Sequence, residues 1–154
     1  MKKMMVILLL VLLVLFLLLF PQESEDKELE LPEITLINLE GQKICLQELT
    51  GKRELLLLFW HPEIESSLQQ FNILIQHPPP ATLVAVALGN FPPADLKRVI
   101  GDLHPSKVLI DKETKLSRTL EVYSLPSLLL FDRAGLLKKR YSTLLKEEEL
   151  EKIF

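Results

Sequence analysis

The residues best suited to chemistry lie close together. They are His61, Glu63, Glu65, Ser66 and Ser67, in the run Phe59-Trp60-His61-Pro62-Glu63-Ile64-Glu65-Ser66-Ser67. A histidine beside two carboxylates could hold a divalent metal. Spacings of two do not put those side chains on one helix face, however, and no second histidine follows at i+4. Surface or capping roles are expected, and no metal site or cofactor. Ser66 with a distant histidine could form a hydrolase nucleophile, but no Gly-x-Ser-x-Gly elbow surrounds it. His77 and His104 each precede a proline and read as loop residues. Cys45 is the only cysteine. It could form mixed disulfides with partners, but no histidine flanks it and the only strong cation nearby is Lys43, so a structural role is expected.

These residues stand where a strand hands over to a helix. Glu54–Trp60 is an unbroken apolar run after its first residue, too short for an isolated helix and too uniform for a half-exposed strand. It reads as a central strand covered on both faces. Pro62 fits the first turn of a following helix, where its missing N–H costs nothing. Glu63 and Glu65 complement the positive end of that helix. Ile64, Leu68, Phe71 and Ile75 form its apolar face, and His77-Pro78-Pro79-Pro80 stops it.

The rest of the chain supplies neighbours for that strand. Ile34–Leu39 and Gln42–Leu46 make a hairpin around Glu40-Gly41, and Leu49–Arg53 is a second turn. Thr82–Leu88 is a buried strand, and Pro92 and Pro93 open a helix with Leu96, Val99, Ile100 and Leu103 on its apolar face. Lys107–Ile110 is a third strand ending in Asp111, followed by a short helix over Thr114–Leu120. After Pro126, Ser127–Phe131 and Leu136–Tyr141 form a hairpin around Asp132–Gly135. Lys146–Phe154 closes the chain as a helix whose solvated start is Glu147-Glu148-Glu149. Strands alternating with helices imply an α/β fold, a mixed central sheet covered on both faces.

The beginning of the chain is of a different kind. Met1-Lys2-Lys3 is basic, and Met4–Phe20 follows without a charge or helix breaker. As a helix those residues span roughly 25 Å, at the short end of what crosses a bilayer core. No small residues stand before Pro21 to form a cleavage site, so an uncleaved signal anchor over residues 1–21 is favoured over a cleaved signal peptide. Lysines before the segment and Glu23, Glu25, Asp26, Glu28 and Glu30 after it orient the globular part outward, to the periplasm or cell surface. Residues 22–31 read as an acidic, solvated linker, and residues 32–154 as one domain. A net charge of −3 and the lack of a basic stripe argue against nucleic-acid binding. With one cysteine the domain holds no internal disulfide and depends on its apolar core.

In this order and spacing the residues resemble the membrane-tethered thioredoxin-like redoxins of the TlpA/ResA type, over about residues 32–154. Pro32–Leu46 resembles the family's opening hairpin, and Leu49-Thr50-Gly51-Lys52 its leucine, glycine and lysine turn. Leu57–Pro62 resembles the strand entering the active site. Leu125-Pro126-Ser127 and Asp132-Arg133-Ala134-Gly135 resemble the cis-proline loop and the hairpin after it. In the family, the Phe-Trp-x-Pro-x pattern leads into Cys-x-x-Cys. The matching positions here are Ile64, Glu65, Ser66 and Ser67, with Ile64 where the nucleophile stands and Ser67 where the resolving thiol stands. Disulfide exchange needs a thiolate, made available by a helix N-terminus that lowers the thiol pKa. Neither isoleucine nor serine can supply one.

The resemblance therefore implies a thioredoxin-like fold with a degenerate active site. It implies a cis peptide bond before Pro126, and a surface at Trp60, Leu125 and Pro126 that could pair with an extended peptide by strand addition. The partners expected are the membrane, through the N-terminal helix, and an extracytoplasmic protein or peptide. The alternative is a part in thiol–disulfide exchange or cytochrome maturation, as an accessory subunit or through Cys45.

Overall fold

The computed structural model describes residues 28–101 and 107–154. The anchor expected over 1–21, most of the 22–31 linker, and Leu103, His104 and Pro105 lie outside them. Among the described residues no helix is long and apolar enough to cross a membrane.

Strands β1 (Thr35–Asn38), β2 (Lys43–Cys45), β3 (Leu55–Trp60), β4 (Thr82–Leu88), β5 (Val108–Asp111), β6 (Ser127–Phe131) and β7 (Leu137–Tyr141) form one sheet in the order β2-β1-β5-β4-β3-β6-β7. Among the described residues four α-helices accompany them, α1 (Glu65–Gln76), α2 (Pro93–Ile100), α3 (Lys115–Thr119) and α4 (Glu147–Glu151), with a 3-10 turn at Leu46–Leu49. The three inner strands β3, β4 and β5 run parallel, and the flanking pairs are antiparallel. The sheet therefore has the mixed architecture expected.

Strand β3 explains why the sheet has two cores. All its residues are buried, and its side chains alternate between the faces. Leu56, Leu58 and Trp60 join Phe71, Leu74, Leu96, Ile100 and Leu150 on one face. Leu55, Leu57 and Phe59 join Val84, Val86, Leu109, Leu116, Leu120 and Phe131 on the other. The connections β3–α1–β4 and β4–α2–β5 step across the sheet in one direction, so right-handed crossovers place both helices on the first face. Each fully buried leucine contributes roughly 1.5–3 kcal/mol to such a core. Gly41 closes the β1–β2 hairpin with a φ of 79°, in the left-handed region.

Several boundaries differ from the sequence-based expectation. Pro62 does not open the helix. It occupies the second position of a turn closed by the Ile64 N–H on the His61 carbonyl at 3.1 Å, and the helix begins at Glu65 with Ile64 as its N-cap. The buried face of α1 is also rotated. Ser67, Gln70, Phe71 and Leu74 are buried, Leu68 and Ile75 are half-buried, and Ile64 is exposed. The reason is tertiary: the Leu145 N–H donates to Gln70 Oε1 at 2.6 Å, drawing that side of α1 beneath the segment before α4.

Helix α4 is shorter than Lys146–Phe154. Lys146 is its N-cap, with its N–H on Glu149 Oε2 at 2.8 Å. The chain turns out of the helix after Glu151, where Lys139 Nζ takes the Ile153 carbonyl at 3.1 Å. The end of the expected linker is part of the fold. Leu31 is buried, its N–H donates to the Gly135 carbonyl at 2.8 Å, and the Leu29 carbonyl accepts from the Leu137 N–H at 2.9 Å. Leu29 and Leu31 are the apolar residues of that stretch and pack into the second core.

Candidate functional site

The candidate site lies at the end of the sheet where β3 stops. The β3–β6 register pairs Phe59 with Ser127, which sets Pro126 beside Trp60 and brings the Tyr123–Pro126 loop to the end that carries residues 61–67. The Leu125–Pro126 peptide bond is cis. Ser127 Oγ donates to the Ser124 carbonyl at 2.6 Å, and Ser124 Oγ to the Ser142 carbonyl at 3.3 Å, so the loop is tied at both ends. Behind it, the Arg140 guanidinium donates to the Leu120 and Glu121 carbonyls at 2.8 and 2.7 Å. That clamp holds the exit of α3, where Glu121 has a φ of 54°. A charged residue in a strand gave no sign of this role.

The helix side of the site is built on a turn. His61 Nδ1 accepts the Glu63 N–H at 3.2 Å, and the His61 ring meets the edge of Phe91 at 5.0 Å between centroids. Phe91 stands where β4 leaves the sheet. A Cβ at Gly89, whose φ is 125°, would lie 3.0 Å from its ring, so glycine both permits the backbone and makes room for the aromatic. The Phe91 contact was not legible from spacing, since the two residues are distant in sequence. His61 thus takes a capping and packing role. Glu63 and Glu65 are exposed, and among the described residues no group of three or more His, Cys, Asp or Glu side chains could hold a metal ion.

At the motif positions, Ile64 is 38% exposed and Ser67 fully buried. Ile64 is the N-cap, with extended backbone (φ −98°, ψ 114°), so its side chain lies outside the helical face that buries Ser67. Ser67 Oγ, Gln70 Nε2 and Trp60 Nε1 are buried without a hydrogen-bond partner. Trp60 is stacked on Phe71 with centroids 4.4 Å apart and is fully buried. Its expected place on a peptide-binding surface is therefore corrected: the ring is core, enclosed by α1. Leu125 is half-buried and Pro126 buried, and the outward apolar side chains at this end are Ile64 and Tyr123, the latter 87% exposed.

Cys45 ends β2 and donates its thiol to Gln47 Oε1 at 3.1 Å. In the strand order it stands four steps from β3, roughly 19 Å at about 4.8 Å per strand. A disulfide needs Cα atoms within about 7 Å, so Cys45 cannot serve residues 64–67 as a resolving thiol. On Asp111, both carboxylate oxygens accept backbone N–H groups from the start of α3, Leu116 at 3.3 Å and Ser117 at 2.8 Å. This capping of α3 supports the same end of the sheet from the opposite face.

No protein-family model matches the chain, and no curated protein matches it. Solved structures do. The exposed lipoprotein thioredoxin Etrx1 of Streptococcus pneumoniae superposes with a TM-score of 0.61 at 22% identity, covering 79% of this chain and 97% of the other. A secreted disulfide oxidoreductase of Mycobacterium tuberculosis, homologous to E. coli DsbE, gives 0.61 at 17% identity over 82% and 96%. A thiol:disulfide interchange protein of the thioredoxin family from Chlorobium tepidum gives 0.63 at 12% identity over 84% and 96%. Likeness at this identity is likeness of fold.

Proposed function

We propose that this chain, which has the thioredoxin-like fold, is a membrane-anchored extracytoplasmic domain without dithiol chemistry of its own that works by binding an extended peptide segment of a partner protein. One observation carries the reading. The frame of a disulfide-exchange site is complete, with β3, the start of α1 and the cis-Pro126 loop at one end of the sheet, while the positions that need thiols hold Ile64 and Ser67. Exchange requires a thiolate attacking a sulfur, and no sulfur lies there. What remains is an edge of backbone at Leu125–Pro126 between outward apolar groups, Ile64 and Tyr123. Such an arrangement suits main-chain pairing with an extended segment, with side-chain specificity from the flanking apolar positions.

The anchor rests on the sequence: Lys2 and Lys3, then Met4–Phe20 without a charge, then an acidic stretch. A reporter enzyme active only outside the cytoplasm, fused after Phe154, is expected to be active in membrane fractions. An inactive fusion would overturn the orientation.

The binding reading is tested by two measurements on the full chain in detergent. Disulfide reduction is expected to show no turnover above background, and turnover abolished by Cys45→Ser would overturn the reading. Titration of an isotope-labelled chain with apolar extended peptides is expected to shift the resonances of Ile64, Tyr123 and Leu125. Shifts elsewhere only, unaffected by Tyr123→Ala, would place binding at another surface.

A further inference from the structure

The opposite end of the sheet carries a cleft with a different chemistry. Lys52 and Arg53 approach β3, Lys107 precedes β5, and between them Ile75, Pro79 and Leu83 line an open depression of about 570 Å³. Its floor is Leu74, which is fully buried. All three cations are exposed, and among the described residues no carboxylate lines the cleft and none of the three forms an ion pair. That is a local excess of positive charge on a chain whose net charge is −3. Beyond Pro78 and Pro79 the neighbouring groove turns acidic, with Glu147 and Glu151, so the cationic region is bounded.

Where the chain enters the fold bears on what this cleft meets. The N–H of Leu31 donates to the Gly135 carbonyl and the N–H of Gly51 to the Arg133 carbonyl, at 2.8 and 3.1 Å. The chain coming from the N-terminal segment and the Lys52-Arg53 turn therefore flank one hairpin loop. From Pro21 to residue 28 the chain can reach at most roughly 25 Å. On the membrane-anchored reading, this tether joins the fold at the Gly135 hairpin, the end of the sheet that carries the cleft and lies opposite the Pro126 loop.

We propose that the Lys52–Arg53–Lys107 cleft binds the headgroup of an anionic phospholipid of the membrane that anchors the chain. The phosphate lies among the three cations, and the first methylenes lie on Ile75, Pro79 and Leu83. The proposal rests on the membrane-anchored reading above. Phosphate pairs with guanidinium and ammonium groups, and each basic residue near an anionic surface contributes about fivefold to association. The consequence is orientation: headgroup binding turns the Leu125–Pro126 edge away from the bilayer, toward soluble partners.

The test uses the full chain reconstituted in nanodiscs of phosphatidylcholine, with or without phosphatidylglycerol, and follows the acylation rate of individual lysines by mass spectrometry. Lys52 and Lys107 are expected to react about fivefold more slowly with the anionic lipid present. Lys112, which follows β5 at the other end of the sheet, serves as the internal reference and should not change. In the Arg53→Gln variant the protection of Lys52 and Lys107 should fall severalfold, while the melting temperature stays that of the parent chain. Equal rates in both lipids, with the chain inserted, would overturn the lipid site and leave the anchor standing. Failure to insert would overturn the anchor and the proposal with it. Equal protection by inorganic phosphate in pure phosphatidylcholine discs would reassign the cleft to a soluble phosphate and overturn the lipid assignment.

Discussion

Two regions meet at the end of β3, and they differ in how firmly the rest of the molecule holds them. The frame comprises β3, the loop ending in cis-Pro126, and the Asp111 and Arg140 contacts that hold α3. Strand β3, Pro126 and Asp111 are buried, and the Asp111 carboxylate and the Arg140 guanidinium are paired with backbone groups of α3 and its exit, although Trp60 Nε1 has no partner. Residues 64–67, the motif positions, have an outward isoleucine, an exposed glutamate and two hydroxyls, of which the buried Ser67 Oγ has no partner. The frame is also the centre of the fold, because β3 supplies side chains to both cores. The motif supplies little to either. A site of this kind can lose its reactive atoms while its scaffold persists, since folding selects the scaffold and only chemistry selects the sulfur.

The sharpest way to test that contrast is to put the sulfur back. Ile64→Cys with Ser67→Cys is expected to give the chain a reversible dithiol–disulfide couple, read by thiol titration and by reduction of a disulfide substrate. A pair that stayed reduced under oxidant would mean a Cα separation beyond about 7 Å, and would break the alignment of residues 64–67 with the motif. Next in size, Trp60→Ala should destabilise the domain by about 3–5 kcal/mol in denaturant unfolding, the cost of emptying a large buried aromatic site. A loss well under 1 kcal/mol would instead return Trp60 to the binding surface.

Asp111→Ala should cost about 1–2 kcal/mol in the same measurement, because two N–H groups at the start of α3 lose their acceptor. No change would remove Asp111 from the frame. The smallest effect is expected at the motif itself. Ser67→Ala removes an unpaired buried hydroxyl and should lie between neutral and about 1 kcal/mol stabilising. A clear destabilisation would show that Ser67 Oγ makes a structural hydrogen bond, and the motif would then count as part of the frame.

Much of this was legible in the residue order. The run Leu55–Trp60 has no polar residue to face solvent, so a strand covered on both faces followed directly. Thr82–Leu88 and Ser127–Phe131 occupy the expected positions for the same reason. That no cysteine stands at residues 64–67 was legible too, because residue identity alone decides it. The start of α1 was less so. Proline satisfies both the first turn of a helix and the second position of a β-turn, and the Ile64 N–H on the His61 carbonyl chose the turn. Apolar spacing in α1 pointed to Ile64, Leu68, Phe71 and Ile75. The helix instead buried Ser67 and Gln70 because the Leu145 N–H bonds to Gln70 from 75 residues away.

By itself, then, the sequence determined the mixed α/β sheet, its order of strands and helices, and the absence of a reactive pair at residues 64 and 67. Those follow from local periodicity, from turn-forming residues and from which side chains carry sulfur. Only the tertiary structure decided that Trp60 is core and not surface, that Phe91 and Arg140 support the site, and that Lys52, Arg53 and Lys107 gather around one cleft. The reason is physical: burial and convergence depend on which elements meet across the sheet, and residues distant along the chain carry no local mark of that meeting.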